Sequence, residues 1–465
     1  MDFSAANVGL WNVVVQFGII AATVLAANAL RRNFPIIRNS LMPTAVLGGF
    51  LLLILRSTGI LNMQLELLEM ITYHGIALGF IAMTLRVPEP STMEETGRWV
   101  GVRSGSLIVS VYLFQGLMGL LITIGVGYTL MPQFFKAAGI LLPMGFGQGP
   151  GQANNVGTIY ESLGMAGGRS FALAIAAMGF LWACVAGVIY LNVLRRKGLI
   201  RGNGYEEISG SVTIDMFQHK DEIPVAESVD RLSVQVALVV LVYLGTYLTT
   251  WGLTSGINGI SPAAGGSVNS LLWGFNFIVG SLLAMLLRFI LRHLKDRSIM
   301  TRQYQNNYLL SRISGLAFDV MIVAGIASIE IGDLSGNWTV FILMSLAGGL
   351  GTFYYMKRVT KILYPDYYYE GFMSMFGMMT GTVSSGILLL REIDPTLKTP
   401  AANNLVTGSC SAIVFALPIL ILIGMAPKST ALLFTAVAIM AAYFIVLLGV
   451  TLRLGIPRGR SASKG

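Results

Sequence analysis

Two short stretches concentrate groups that could bind ions and small solutes. The first is FGQGPGQANN, Phe146–Asn155, with three glycines, a proline and four side-chain amides in ten residues. The second is MMTGTVSSG, Met378–Gly386, which offers the hydroxyls of Thr380, Thr382, Ser384 and Ser385. Amide and hydroxyl oxygens, with carbonyls freed from helical pairing, suit a hard cation such as sodium. A helix that starts at such a break carries partial positive charge at its N-terminus and attracts carboxylates. This chemistry assigns Gln148, Gly149, Gly151, Gln152, Thr380, Gly381, Thr382 and Ser384 to an anionic solute. Asn154, Asn155, Asp319 and Ser385 are assigned to sodium as the coupling ion. Asp319, in SGLAFDVMIVAG, is the acid read as lying deep in an apolar run, where a carboxylate is costly and functional by default.

The elements that must position these groups are apolar helices. The 465 residues are 54% hydrophobic and 11% charged, against about a quarter charged in soluble domains. Runs such as Val8–Leu30, Leu232–Trp251 and Thr430–Leu452 are long enough to cross a bilayer core, which takes about 20 residues. The fold class is an all-α polytopic membrane protein. Eleven spans are predicted, at 8–30, 40–56, 67–85, 100–130, 170–194, 232–252, 268–290, 308–329, 338–356, 402–425 and 429–452. Segments 138–160 and 370–390 are apolar at their ends and broken in the middle. Alternating Gly147, Gly149 and Gly151 with Pro150 favour a turn over a continuous helix. Non-helical backbone at membrane depth must be buried in protein or line a cavity. Each segment is therefore expected to be a re-entrant hairpin, the two tips meeting near the midplane.

Charge placement sets the expected topology. With the N-terminus outside, 27 of the 31 Lys and Arg fall on the inner side, leaving Arg56, Lys136, Arg169 and Lys428 outside. That asymmetry obeys the positive-inside rule only if neither hairpin makes a net crossing. The net charge of +9 thus reads as topology and gives no support to nucleic-acid binding. Cys184 and Cys410 lie in apolar runs and imply no disulfide framework.

A shift of 230 residues superposes Asn39-Ser40-Leu41 on Asn269-Ser270-Leu271, Phe146-Gly147 on Phe376-Gly377 and Gly151 on Gly381. Both halves run four spans, a broken segment and one span. Five crossings is an odd number, so the second half is inverted. The expected organisation is repeat 1 at 1–194, a cytoplasmic linker at 195–231, repeat 2 at 232–427, and an extra C-terminal transmembrane helix with a basic tail at 428–465. Outside the hairpins, His74 reads as a structural histidine and Tyr367–Tyr369 as an interfacial aromatic anchor. Asn403 and Asn404 are equally a helix cap or part of the site.

At these residues the chain resembles the bacterial sodium/glutamate symporter family. The family's first-hairpin motif GxGxGxA stands here as Gly147-Gln148-Gly149-Pro150-Gly151-Gln152-Ala153. Ile36–Gly49 is similar to its IPEPVAGG-like segment through Pro43, Ala45, Gly48 and Gly49, and Phe376-Gly377 matches the second hairpin loosely. The resemblance implies two inverted repeats of five spans plus one re-entrant hairpin each, and sodium-driven uptake of glutamate or a related acidic amino acid. It also implies a homodimer with an elevator-like motion in the bacterial inner membrane. The chain departs from the family at Gln148, which takes the place of a histidine, and at Gly377-Met378-Met379, which replaces a GxG.

Other classes fit less well. No P-loop, CxxC, HExxH or GxSxG motif occurs, which removes the usual handles of an ATPase or a membrane hydrolase. A di- or hydroxycarboxylate carrier, proton-coupled through Asp319, is the alternative within transport. A channel or a membrane scaffold is the alternative outside it.

Overall fold

A computed structural model describes residues 6–87, 100–200, 231–260, 269, 272–300, 302–394 and 399–455. Most of the linker, the basic tail beyond 455 and the Ser270-Leu271 part of the repeat match lie outside the described residues. The chain is a polytopic helical membrane protein: among the described residues, nine helices are long and apolar enough to cross a bilayer. They are α1 (Val8–Asn33), α4 (Leu65–Leu85), α5 (Val100–Thr129), α8 (Gly168–Arg196), α9 (Arg231–Ile260), α10 (Asn276–Asp296), α11 (Asn307–Ala327), α12 (Trp338–Leu363) and α16 (Thr430–Gly455). A tenth, α15 (Ala401–Met425), is bent by 44° between Ser409 and Ser411.

One of the eleven expected spans needs correction, and a second is interrupted near its start. The 40–56 run yields α2 (Pro35–Asn39) and then α3 (Thr44–Ser57), whose 14 residues extend only about 21 Å. The cause is local: Leu41 takes a positive φ of 56° and Pro43 sits in extended backbone as the N-cap, so the helix starts late. The 268–290 run does give a span, but a turn at Phe275 separates the helical residues 272–274 from α10, which starts at Asn276. Before it, the carbonyls of Trp273 and Gly274 accept hydrogen bonds from Tyr73 Oη (2.7 Å) and Asn155 Nδ2 (2.6 Å).

The two ends of the bundle are marked by ion pairs. At one, Arg169 at the start of α8 pairs with Glu69 at the start of α4. At the other, Arg195 near the end of α8 meets Glu392 at 2.8 Å. Arg56 also belongs to the Glu69 end, where it donates to Ile329 O at 2.7 Å and faces Glu330 at 3.8 Å. Two of the basic residues that break the charge asymmetry are therefore neutralised by acids. A third, Lys136, lies 5.1 Å from the Tyr128 ring centre and donates to Pro132 O at 3.2 Å.

Small residues bring the helices together, as expected where lipid leaves packing as the main driving force. Gly75 and Gly79 of α4 seat Met321 and Phe318 of α11, and Gly49 of α3 seats Ile326. The closest approach joins α5 to the chain after it: Gly119 and Gly139 touch backbone to backbone, with no room for a Cβ on either.

Candidate functional site

Between α5 and α8 the chain forms a 3-10 turn at Lys136–Ile140, α6 (Leu141–Phe146), a three-residue break and α7 (Pro150–Ser162). Its contacts show that it doubles back. Phe135 at its start lies against Tyr160 at its end, with ring centres 5.3 Å apart. Gly157 abuts Gly168 and Arg169, at the Glu69 end. Phe146, at the break, instead lies beside Gly179, well down α8. Gly149 makes the turn with φ 81° and ψ −173°, a conformation open essentially to glycine alone. Pro150 follows at the first helical position, where its missing N–H costs nothing.

The second segment doubles back from the opposite end. Helix α13 (Tyr368–Thr380) starts beside α5's first turns: Arg103 Nη2 donates to Tyr367 Oη at 3.1 Å, and Ser104 pairs with Tyr364 Oη at 2.9 Å. It ends at Thr380, whose backbone reaches Gly179. Helix α14 (Val383–Arg391) then returns to the Arg195–Glu392 pair. The two arms are in direct contact, Gly377 against Gly386.

The tips meet. A Cβ built on Gly149 would stand 3.4 Å from Thr382 Cγ2 and 3.6 Å from Gly381 O. Helices α7 and α14 both begin here, so two helix N-termini converge, and neither N-cap, Gly149 or Thr382, is closed by a side-chain hydrogen bond. Beside them lies a cavity of about 900 Å³, its mouth included, lined at the tips by Gly147, Gln148, Gly381 and Thr382. Among the described residues, no Asp, Glu, Lys, Arg or His lines it.

Several buried polar atoms near the tips have no hydrogen-bond partner. Gln152, fully buried one turn into α7, satisfies neither amide atom. Ser385, 3% exposed at the matching place in α14, leaves Oγ unpaired, and Thr382 Oγ1 is likewise unpaired. Such atoms are rare in folded proteins and cost roughly 1–3 kcal/mol each.

Of the residues assigned from sequence, Gln148, Gly149, Gly381 and Thr382 come together at the tips. Gly151 packs instead against Ile76 and Met321, and Thr380 Oγ1 donates within its own helix to Phe376 O at 2.8 Å. Ser384 is in the first turn of α14, but its side chain lies outside the described residues. Asn154 and Asn155 are buried further along α7, each with an unpaired Oδ1.

Asp319 lies on the outward face of α11 and does not line the cavity. Helix α11 buries Ser314, Met321 and Gly325 against α4 and α7, which turns Leu316 and Asp319 to the opposite side. Of the tyrosine run, Tyr367 alone is corrected: it is buried and its hydroxyl accepts from Asn404 Nδ2 at 2.7 Å, whereas Tyr368 and Tyr369 are half-buried. That bond gives Asn404 a structural partner. His74 pairs with Tyr243 Oη at 2.5 Å.

Sequence reasoning missed Gln115. Its Nε2 donates to Met379 O and to Thr352 Oγ1, both at 2.9 Å, while its unpaired Oε1 lies 3.0 Å from where a Gly147 Cβ would be. An amide in the middle of the apolar stretch VYLFQGLMG was the available signal. Among the described residues no cluster of His, Cys, Asp or Glu could hold a metal, which leaves amide, hydroxyl and carbonyl oxygens as the ligands on offer to a cation. No protein-family model and no curated protein matches the chain.

Proposed function

We propose that the protein is a sodium-coupled secondary transporter that imports a small anionic solute by alternating access. One observation carries the reading: two half-helix N-termini converge at tips entering from opposite ends, with no acidic side chain among the described residues lining the adjoining cavity. Each N-terminus is equivalent to roughly +0.5 charge, so the junction favours a carboxylate. The unpaired oxygens of Gln115, Asn154, Asn155 and Ser385 are hard ligands of the kind sodium takes.

In this reading the chain is two inverted repeats of five spans with one hairpin each, plus a terminal helix. Its N-terminus is outside and its C-terminus is in the cytoplasm. The resemblance of the first hairpin to the sodium/glutamate symporters adds the bacterial inner membrane, a homodimer, an elevator-like motion and glutamate as the first solute to try. The test is uptake of labelled L-glutamate, then of a panel of carboxylates, into proteoliposomes with sodium outside and potassium inside. Accumulation that collapses without the sodium gradient is expected for at least one anion. Equal entry with and without the gradient overturns coupled transport.

A further inference from the structure

The cavity at the hairpin tips has one polar end and a long apolar wall. Phe80 of α4, Phe275 and Phe277 at the start of α10, and Phe318 of α11 form that wall. They make a joined aromatic set, with ring centres 5.0 Å apart for Phe80–Phe277 and 5.4 Å for Phe80–Phe318, the latter edge to face. The facing wall is α15, through residues such as Ala412, Ile413 and Ala416. Polar groups are confined to the tips, Tyr112 and Ser409. The tips themselves carry more than helix ends. Ser385, 3% exposed, has an Oγ with no partner that lies 2.8 Å from the Gly381 Cβ position and can donate to a carboxylate, whereas Gln115 Oε1 at Gly147 is an acceptor and serves only a cation or a donor.

A dicarboxylate or an acidic amino acid matches this cavity poorly. Glutamate carries two carboxylates and an ammonium, while the cavity has one pole where helix N-termini meet and, among the described residues, no acidic or basic side chain. The remaining charges would be stripped of water against phenylalanine rings with nothing to pair them. A solute with one carboxylate and an apolar body leaves no charge stranded. Its head sits at the helix N-termini, and its body lies among rings that favour edge-to-face aromatic contact.

Resting on the transport reading of the same site, we infer that the substrate is a monocarboxylate with an apolar, preferably aromatic, body. The carboxylate docks at the Gly149–Thr382 junction and the body fills the Phe80–Phe277–Phe318 wall. The test is isothermal titration of the full-length protein in nanodiscs, in sodium chloride, with 3-phenylpropanoate, L-glutamate and 3-phenylpropan-1-ol. The acid is expected to bind at least tenfold more tightly than either of the others. Phe277→Leu and Phe318→Leu, which keep the wall apolar, should each weaken the acid by roughly three- to tenfold, an aromatic pair contributing about that much. Tighter binding of L-glutamate, together with its sodium-driven uptake in vesicles, overturns the inference and leaves the transport reading intact. Equal binding of the alcohol and the acid also overturns it, because the tips then hold no anion. Absence of binding by all three, with no sodium-driven uptake of any carboxylate, overturns both.

Discussion

The two hairpins reach the same point by different constructions. The first is held by its neighbours: Gly145 packs on Ile175 and Ala176 of α8, Gly157 on the start of α8, and Gly139 on Gly119 of α5. Its turn depends on one backbone conformation, that of Gly149. The second packs arm on arm, Gly377 against Gly386, and is also braced by Gly179 and Gly187 of α8 and by Gln115 of α5. Its turn uses Thr382 in ordinary extended backbone, and Gly381 is needed there for space, with Ser385 Oγ 2.8 Å from the Cβ position. A segment wedged into other helices resists displacement, whereas one whose arms pack on each other can shift as a unit. In the transport cycle proposed above, the arm-on-arm packing would let the second hairpin shift as a unit.

The largest way to break the comparison is Gly139→Val. Both sides of that contact are backbone, so the branched side chain forces the first hairpin off α5, at about 3 kcal/mol or more. Thermal unfolding in detergent should show a large loss of stability; an unchanged melting temperature would mean the hairpin is not wedged. Next comes Gly149→Ala, which puts a Cβ on a φ of 81° and costs about 1–3 kcal/mol of strain. It should lower solute uptake at least tenfold, while Gly381→Ala, whose clash is with a rotatable hydroxyl, keeps partial activity. The reverse order would show that the two turns had been ranked wrongly.

Gln152→Leu separates function from stability. It removes a buried amide that has no partner, so the protein should become about 1 kcal/mol more stable. Transport should fall at the same time, as expected if the unpaired amide serves the solute or the ion. Retained transport would make Gln152 a structural curiosity. The smallest effect is expected at Asp319→Asn. It removes a carboxylate from the middle of the spanning helix α11, away from the cavity, so stability should not fall and sodium dependence should stay as it was. An altered sodium dependence would return Asp319 to the coupling mechanism.

How much of this was legible in the sequence depends on the range of the interaction. The first break was plain, because Gly147, Gly149 and Pro150 act locally and announce a turn whatever surrounds them. The second was fainter, because its turn is fixed by contacts between arms rather than by punctuation. The aromatic wall was not legible at all: Phe80, Phe277 and Phe318 are far apart along the chain and share a surface only once α4, α10 and α11 pack. The face that Asp319 occupies was hidden for a related reason. Hydropathy locates a residue along a span but is silent on direction, and the buried face of α11 is decided by its neighbours. Boundaries failed at Pro43 and Phe275, where side chains and special backbone override an apolar run.

Gln115 has a consequence for speed. Its amide joins α5 to Met379 O in the last turn of α13 and to Thr352 on α12. A second hairpin that slides past α5 must release that grip once per cycle. The one hydrogen bond between α5 and the hairpin, to Met379 O, at about 1 kcal/mol would slow turnover roughly fivefold relative to a chain without it. Gln115 would then act as a clock: Gln115→Leu should make exchange faster and the coupling of solute to ion leakier, an escapement with its pawl removed.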